Sequence, residues 1–98
     1  MSTPRTMDGN RQHHVFSDEQ MADYLDVRLR LAGCNADSVG QALLLVSELY
    51  GMGFVAAPSG LTAEAMRRLL DGSRLLHLET VLGVLHGLGL RLRVEVAE

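Results

Sequence analysis

The chain has 98 residues, of which 47% are hydrophobic and 21% charged, a composition typical of one small globular domain with a single core. Its net charge of −3 argues against a protein that coats nucleic acid regardless of sequence, because such a coat needs clustered cations. The sequence has no signal-peptide core, no run of 18 apolar residues and only one cysteine, Cys34, so we expect a cytoplasmic protein without membrane spans or internal disulfides.

The first fifteen residues are polar, contain proline and glycine, and lack apolar periodicity, so we expect residues 1–15 to form a flexible arm. The adjacent His13 and His14 offer two metal ligands without a third, and His77 and His86 are too far apart to share a helix face. The sequence therefore predicts no metal site and no cofactor.

A helix is predicted directly after this arm. Ser17 opens the sequence Ser-Asp-Glu-Gln, a capping box in which the serine and glutamine side chains satisfy two amides at the helix start. Apolar residues then recur at helical spacing as far as Gly33, which predicts a first helix over about 18–32. We assign residues 16–36 to this N-terminal helix and residues 37–98 to the main domain.

The second predicted helix is broadly hydrophobic. Asn35 or Asp37 can cap its start, and Gly51 and Gly53 end it. Its apolar side chains fall on one stripe, which predicts a buried helix: Val39, Ala42, Leu43, Val46 and Leu49.

Two short helices joined by a turn at Gly60 are predicted next, the first over Phe54 to Ser59 and the second capped by Thr62, running through Leu70 and ending at Asp71-Gly72. The helix-turn-helix motif, in which two helices cross steeply, requires small or apolar residues at certain positions. Six positions agree with it: Ala56 at the helix contact, Gly60 in the turn, and the apolar anchors Val55, Leu61, Met66 and Leu69. An ordinary helical hairpin is the alternative, since small and apolar residues are common.

The last predicted helix covers about 78–88 and stops at Gly89, with inward side chains at Val81, Leu82, Val84 and Leu85. After it the apolar period changes to two, as in a half-buried strand, and the apolar members are Leu90, Leu92, Val94 and Val96. A lone strand leaves its backbone unpaired. We therefore expect it to pair with the same strand of another subunit, with a partner protein or with the N-terminal arm.

Three stretches carry a family resemblance that covers about 60% of the chain, from residue 37 to residue 95. They are QALLLVSELYGM, GLTAEAMRRLLDG and, most specifically, LETVLGVLHGLGLRLRVE. In these stretches the chain resembles the addiction-module antidote family, the HigA-type antitoxins with a Cro/C1-like DNA-binding domain. The resemblance implies an all-α fold, a five-helix lambda-repressor-like helix-turn-helix domain with a short C-terminal β-strand. It also implies a homodimer that represses its own two-gene operon and binds a small ribonuclease-type toxin.

On this resemblance the helix that starts at Thr62 lies in the major groove of double-stranded operator DNA. The residues expected to contact DNA are Thr62, Ala63, Glu64, Arg67, Arg68, Ser73 and Arg74. Arginine suits guanine or phosphate, glutamate accepts from cytosine, and hydroxyl groups suit phosphate. The alternative is a solvated helix face on which Glu64 and Arg68 form an ion pair four residues apart.

A second hypothesis is a protein-interaction module on a degenerate helix-turn-helix, which binds a toxin or partner subunit without sequence-specific DNA binding. Met52 or Val55 stands where the motif commonly has a polar residue that contacts phosphate. Pro58 is expected to shorten or kink the first helix of the motif, and an exposed Leu75 and Leu76 would suit a protein interface. The sequence contains no catalytic constellation of nucleophile and base, so we do not expect an enzyme.

Overall fold

The structure is a computed structural model that describes residues 17–33 and 35–96, so the predicted arm at 1–15 and Cys34 lie outside the described residues. Within them the helices are α1 (Asp18–Ala32), α2 (Ala36–Tyr50), α3 (Met52–Ala56), α4 (Ala63–Leu70) and α5 (Leu78–Gly87). A 3-10 turn, Ala57–Ser59, continues α3. These described ranges contain no strand, and the predicted all-α class is confirmed for them.

The predicted side-chain caps are present at the starts of three helices. At α1 the Gln20 amide donates to the Ser17 hydroxyl at 3.2 Å, and the Ser17 amide donates to Gln20 Oε1 at 2.9 Å. Of the two candidates for α2, Asn35 is the cap, because its Oδ1 accepts from the Ser38 amide at 3.1 Å. Thr62 caps α4 in the same way. Local sequence therefore determines where these helices begin.

Helix α2 lies at the centre of the fold and contacts each of the other four helices. Helix α1 packs mainly against α2, and α3, α4 and α5 also pack against α2. Helix α3 in addition contacts both α4 and α5. The core contains the buried side chains Met21, Leu25, Ala42, Leu43, Val46, Met52, Val55, Ala56, Met66, Leu70, Val84, Leu85 and Leu88. The broadly buried second helix that the sequence predicts is thus the centre of this core.

Two glycines inside helices allow neighbouring backbones to approach closely. A Cβ atom on Gly87 of α5 would lie 3.0 Å from the Cα of Val55 in α3, and closer still to its carbonyl oxygen. A Cβ atom on Gly40 of α2 would lie 2.9 Å from the carbonyl oxygen of Leu70, the last residue of α4. Glycine is therefore required where α5 meets α3 and where α2 meets α4.

One face of α5 differs from the prediction. Val84 and Leu85 are buried as expected, and Val81 is partly buried against the core. The inward placement of Leu82 is wrong, since 43% of this residue is exposed. It lies one helical turn after Leu78, which is 66% exposed, so the two leucines form an apolar stripe on the solvent side of α5.

The chain beyond α5 has no regular secondary structure over residues 91–96. Leu90 packs against the core of its own chain, and its amide donates to the Leu85 carbonyl at 2.8 Å. Leu90 therefore differs from the other three apolar residues of the predicted strand, whose exposed fractions are 52%, 90% and 88% for Leu92, Val94 and Val96. Pairing of this segment stays a prediction, because the described part of the chain offers it no partner strand.

Ser47 places a polar group in the apolar core. Its side chain is fully buried in α2, and its hydroxyl oxygen has no hydrogen-bond partner among the described residues. A buried polar group without a partner retains the full cost of its desolvation. We therefore expect Ser47→Ala to raise the free energy of unfolding by about 1 kcal/mol, measured by urea denaturation.

Ser38→Ala in the same helix is the matched control for this substitution, because Ser38 is only partly buried. It reports the intrinsic helix preference of alanine with little relief of desolvation. A Ser47→Ala protein less stable than the wild type would show that the hydroxyl has a favourable contact in the folded chain.

Candidate nucleic-acid interface

Helices α3 and α4 are joined by a tight turn at Gly60. This residue has φ 72° and ψ 21°, a left-handed conformation that glycine adopts without the steric cost of a Cβ. Its amide donates to the Ala57 carbonyl at 2.9 Å, and the next amide, of Leu61, donates to the Ala56 carbonyl at 3.2 Å. The turn therefore changes the direction of the chain between α3 and α4 while both of these amides keep a hydrogen bond.

The apolar residues predicted to anchor this pair of helices lie in the core. Val55 and Ala56 of α3 and Met66 of α4 are fully or almost fully buried. Leu61 and Leu69 are partly buried and pack against the same cluster. Every one of these positions faces inward, which leaves the opposite side of α4 to solvent.

The first helix of the pair is short, as its proline predicts. Helix α3 ends at Ala56, and Pro58 lies in the 3-10 turn that follows. At the start of α3, Met52 is buried in the core, whereas Phe54 is exposed. Met52 and Val55, the two candidates for the position where the motif commonly has a polar phosphate contact, are both buried apolar residues, so neither offers a polar side chain to phosphate.

The predicted contact residues do not all share the outer face of the α4 region. The exposed ones are Thr62, Glu64, Arg68, Ser73 and Arg74. Arg67 is half-buried, and Ala63 packs partly buried against the core rather than facing outward. The outer surface of this region is therefore formed by hydroxyl and charged groups from α4, its cap and the loop that follows.

Arg67 is held by a carboxylate from another helix. Its Nε and Nη2 donate to Oε2 and Oε1 of Glu48 in α2, the second at 3.0 Å. Nη1 also lies 3.5 Å from Oε1 of Glu64, so Glu64 pairs with Arg67 rather than with Arg68 as the solvated-face alternative assumed. A two-point contact between guanidinium and carboxylate fixes orientation as well as distance, so this pair ties α4 to α2.

The Arg67–Glu48 pair makes the stability depend on pH. The hydrogen bond from Arg67 lowers the pKa of Glu48 below 4.5 against the opposing effect of burial. A carboxyl whose pKa is lower in the folded state stabilises the fold above its unfolded pKa, and this contribution is lost as the pH falls through the folded pKa.

We expect Glu48→Gln to lower the melting temperature by roughly 2 °C at pH 7, a small effect because both side chains are more than one third exposed. The difference in melting temperature between this variant and the wild type should shrink as the pH falls below about 4.5. Thermal melts at several acidic pH values measure it. An equal difference at pH 7 and pH 3 would exclude ionic pairing by Glu48.

The loop after α4 is fixed by Ser73. Its hydroxyl donates to the Arg68 carbonyl at 3.2 Å, and its amide donates to Asp71 Oδ1 at 2.9 Å. The Ser73 hydroxyl proton is therefore used within the chain. The guanidinium groups of Arg68 and Arg74, by contrast, make no hydrogen bond or ion pair within residues 17–33 and 35–96.

Charges in this region are balanced. The segment 62–74 contains three arginines, Arg67, Arg68 and Arg74, and two carboxylates, Glu64 and Asp71. Glu48, which contacts Arg67, adds a third carboxylate from α2. Binding to an anion would therefore depend on individual arginines rather than on a broad positive field. Arg68 and Arg74 are the two that make no hydrogen bond or close ion pair in the described ranges, although the charge of Arg68 also acts on the Asp71 carboxylate.

Neither a cluster of metal ligands nor a single membrane-spanning helix is present in the described ranges. No group of three or more His, Cys, Asp or Glu side chains lies close enough to hold a metal ion there. Nor is any single helix long and apolar enough to cross a membrane, although α2 together with the segment 52–59 meets the length and composition criteria as a pair bent by 114°.

A family model with the description "Probable addiction module antidote protein" matches residues 7–96. The matched span extends beyond both ends of the segment 37–95 and includes α1. No curated protein and no solved structure matches the chain.

Proposed function

The chain belongs to the family of probable addiction module antidote proteins, and from this premise we propose that it also represses its own operon as a DNA-binding dimer. Membership of the family gives it the role of an antitoxin with a toxin as partner. We further propose that the toxin is a small ribonuclease and that the operator is double-stranded DNA upstream of the gene pair.

The arrangement of α3, Gly60 and α4 is the observation that carries the proposal. A left-handed glycine between two short helices, a buried Ala56 at their contact and a polar outer face on α4 together favour a helix-turn-helix. In that motif the second helix is the one that enters the major groove. We therefore assign α4 as the recognition helix.

The contacts of each side chain suggest different roles on DNA. The exposed guanidinium groups of Arg68 and Arg74 make no hydrogen bond within the described residues, and such groups suit a guanine edge or a phosphate. The Thr62 oxygen accepts from the Ala65 amide, so its hydroxyl proton is available to a phosphate. Arg67 acts as a positioning residue, because Glu48 holds it toward α2.

A footprint on the DNA upstream of the gene tests this function. A symmetric dimer is expected to protect two half-sites about 34 Å apart, on one face of the duplex, in an inverted repeat. Hydroxyl-radical cleavage with and without the purified protein measures the spacing. Uniform cleavage at protein concentrations of about 1 μM, roughly 100 times a specific Kd, would contradict the proposal.

A protein-interaction module remains the second candidate, and the balanced charge around α4 favours it. Phe54 of α3 and Leu75 of the loop after α4 are also exposed, as expected for a protein-binding surface. On this alternative, Phe54→Asp would abolish toxin neutralisation, and Arg68→Glu would leave it intact. The DNA-binding proposal expects Arg68→Glu to abolish repression while toxin neutralisation persists.

A further inference from the structure

The segment after α5 exposes three apolar side chains in alternation with charged ones. Leu92, Val94 and Val96 alternate with Arg93 and Glu95, and all five residues are exposed. In an extended strand this alternation places the apolar groups on one face and the charged groups on the other. The segment thus has the pattern of a strand that needs both a backbone partner and an apolar cover.

We propose that residues 92–96 pair antiparallel with the same residues of a second copy, in the register that places Val94 opposite its symmetry mate. The proposal rests on the dimer named under the proposed function and specifies its contact. In antiparallel strands, residues directly opposite each other point to the same face of the sheet. A register centred on Val94 therefore places Leu92 opposite Val96, and Arg93 opposite Glu95, on each side of the two-fold axis.

Charge complementarity selects this register. Centred on Val94, the ribbon contains two Arg93–Glu95 pairs, and opposite charges across strands are stabilising. Moving the centre to Arg93 places that arginine opposite its own copy, and moving it to Glu95 places two glutamates opposite each other. Like charges directly opposite each other are destabilising. The registers centred on Arg93 and on Glu95, which also keep the apolar side chains on one face, are therefore disfavoured.

Antiparallel registers shifted by a single residue, and parallel pairing, are disfavoured for other reasons. A slip by one residue turns the apolar side chains of one strand to the charged face of the other. A parallel ribbon in register stacks Arg93 on Arg93 and Glu95 on Glu95. Among these arrangements, the antiparallel register centred on Val94 alone keeps one apolar face and one face of opposite charges.

The apolar face of the ribbon also has a candidate cover. A two-stranded ribbon is marginal in water unless its apolar face packs against another element. Helix α5, which precedes the segment, exposes Leu78 and Leu82 on one stripe. We include this stripe in the same interface, where it shields the side chains of Leu92, Val94 and Val96 from water.

Cysteine cross-linking tests the register directly, in the full chain with Cys34→Ser to remove the native thiol. Opposite Cα atoms in an antiparallel pair are about 4.5 to 5.5 Å apart, within the range of a disulfide. Val94→Cys should therefore form a covalent dimer rapidly under mild oxidation. Arg93→Cys is the matched control, because its copy would lie about 8 Å away, beyond that range.

Rapid dimer formation by Arg93→Cys, with none by Val94→Cys, would overturn the register. A second cross-link tests the pairing of Leu92 with Val96 of the other copy. Leu92→Cys protein and Val96→Cys protein should each form no disulfide dimer alone, and the two should form a disulfide-linked dimer when mixed. Failure of the mixed pair to couple would contradict the antiparallel arrangement.

A charge exchange tests the cross-strand pairs without cysteine. Arg93→Glu or Glu95→Arg alone places like charges opposite each other twice and should raise the dimer Kd about tenfold. The double exchange restores two opposite pairs and should return the Kd to within about threefold of the wild type. Sedimentation equilibrium measures these constants, and far-ultraviolet circular dichroism checks that each variant is folded.

Double-exchange protein that dimerises no better than the single variants would overturn the proposal, as would a wild type that stays monomeric. DNA binding is measured separately on the Val94→Cys dimer. A dimer with the expected cross-links but without DNA preference would reject the repressor function and leave this contact standing.

Discussion

Gly87→Ala is expected to lower the free energy of unfolding by about 3 kcal/mol, at the upper end of the range for overpacking a core. The added Cβ would overlap the backbone of Val55, and a backbone has little freedom to move away. Helix α5 would have to shift from α3. Urea denaturation followed by circular dichroism measures the loss.

Gly53→Ala is the matched control for this prediction. Gly53, which the sequence wrongly predicts to help end the second helix, lies instead within α3, because Gly51 alone caps α2. An added Cβ on Gly53 has no atom within 4 Å. Because alanine favours a helix over glycine by about 0.5 to 1 kcal/mol, this variant should be as stable as the wild type or more so. The same preference would apply to Gly87, so the two variants should change stability in opposite directions. A Gly87→Ala protein as stable as Gly53→Ala would show that α5 and α3 leave room for a Cβ atom at position 87.

Arg68→Ala is expected to weaken binding to the operator about 10- to 100-fold, the cost of losing one base-reading or phosphate contact. Its guanidinium is exposed and makes no hydrogen bond or close ion pair within the described residues, so only its electrostatic attraction to the Asp71 carboxylate competes with DNA for it. Fluorescence anisotropy with labelled operator DNA measures the change. If Arg68 reads a base, sequence preference relaxes as well, whereas a phosphate contact weakens all sequences alike.

Two other arginine variants serve as controls for the effect of Arg68→Ala on DNA affinity. Arg30→Ala removes the same charge from an exposed side chain that is paired with Asp26 on α1, and it should leave the affinity within about twofold. Arg67→Ala should cost less than Arg68→Ala, since Glu48 already engages its guanidinium. Equal affinities for Arg68→Ala and Arg30→Ala would remove Arg68 from the interface, and an unchanged Arg67→Ala, Arg68→Ala double variant would reject the assignment of α4.

The elements that the sequence predicts correctly are those determined by neighbouring residues. The capping box at Ser17 and the cap at Thr62 act within one helical turn, so their residue types are sufficient to predict them. Gly60 and Pro58 act on the backbone torsions at their own positions. Those local restrictions define the bounds of α3 and α4, and thus the candidate recognition helix.

The features that the sequence does not reveal depend on residues distant along the chain. Glu48 and Arg67 are nineteen positions apart and meet only because α2 packs on α4. The need for glycine at Gly87 likewise comes from α3, and a glycine in a helical pattern gives no sign of what lies beside it. Leu82 is a residue for which the sequence pattern is misleading. Helical periodicity assigns it to the core, but the adjacent face of α5 is the one that packs against the core.

Sequence-specific DNA binding is tested most directly by an anisotropy titration of the wild-type protein against its own upstream DNA and a scrambled duplex, at two salt concentrations. We predict a Kd of about 10⁻⁸ M or tighter for the upstream DNA, a preference of at least about a thousandfold over the scrambled duplex, and weaker binding at the higher salt. Equal affinity for the two duplexes would contradict a sequence-specific repressor and leave the protein-interaction module as the function of α4.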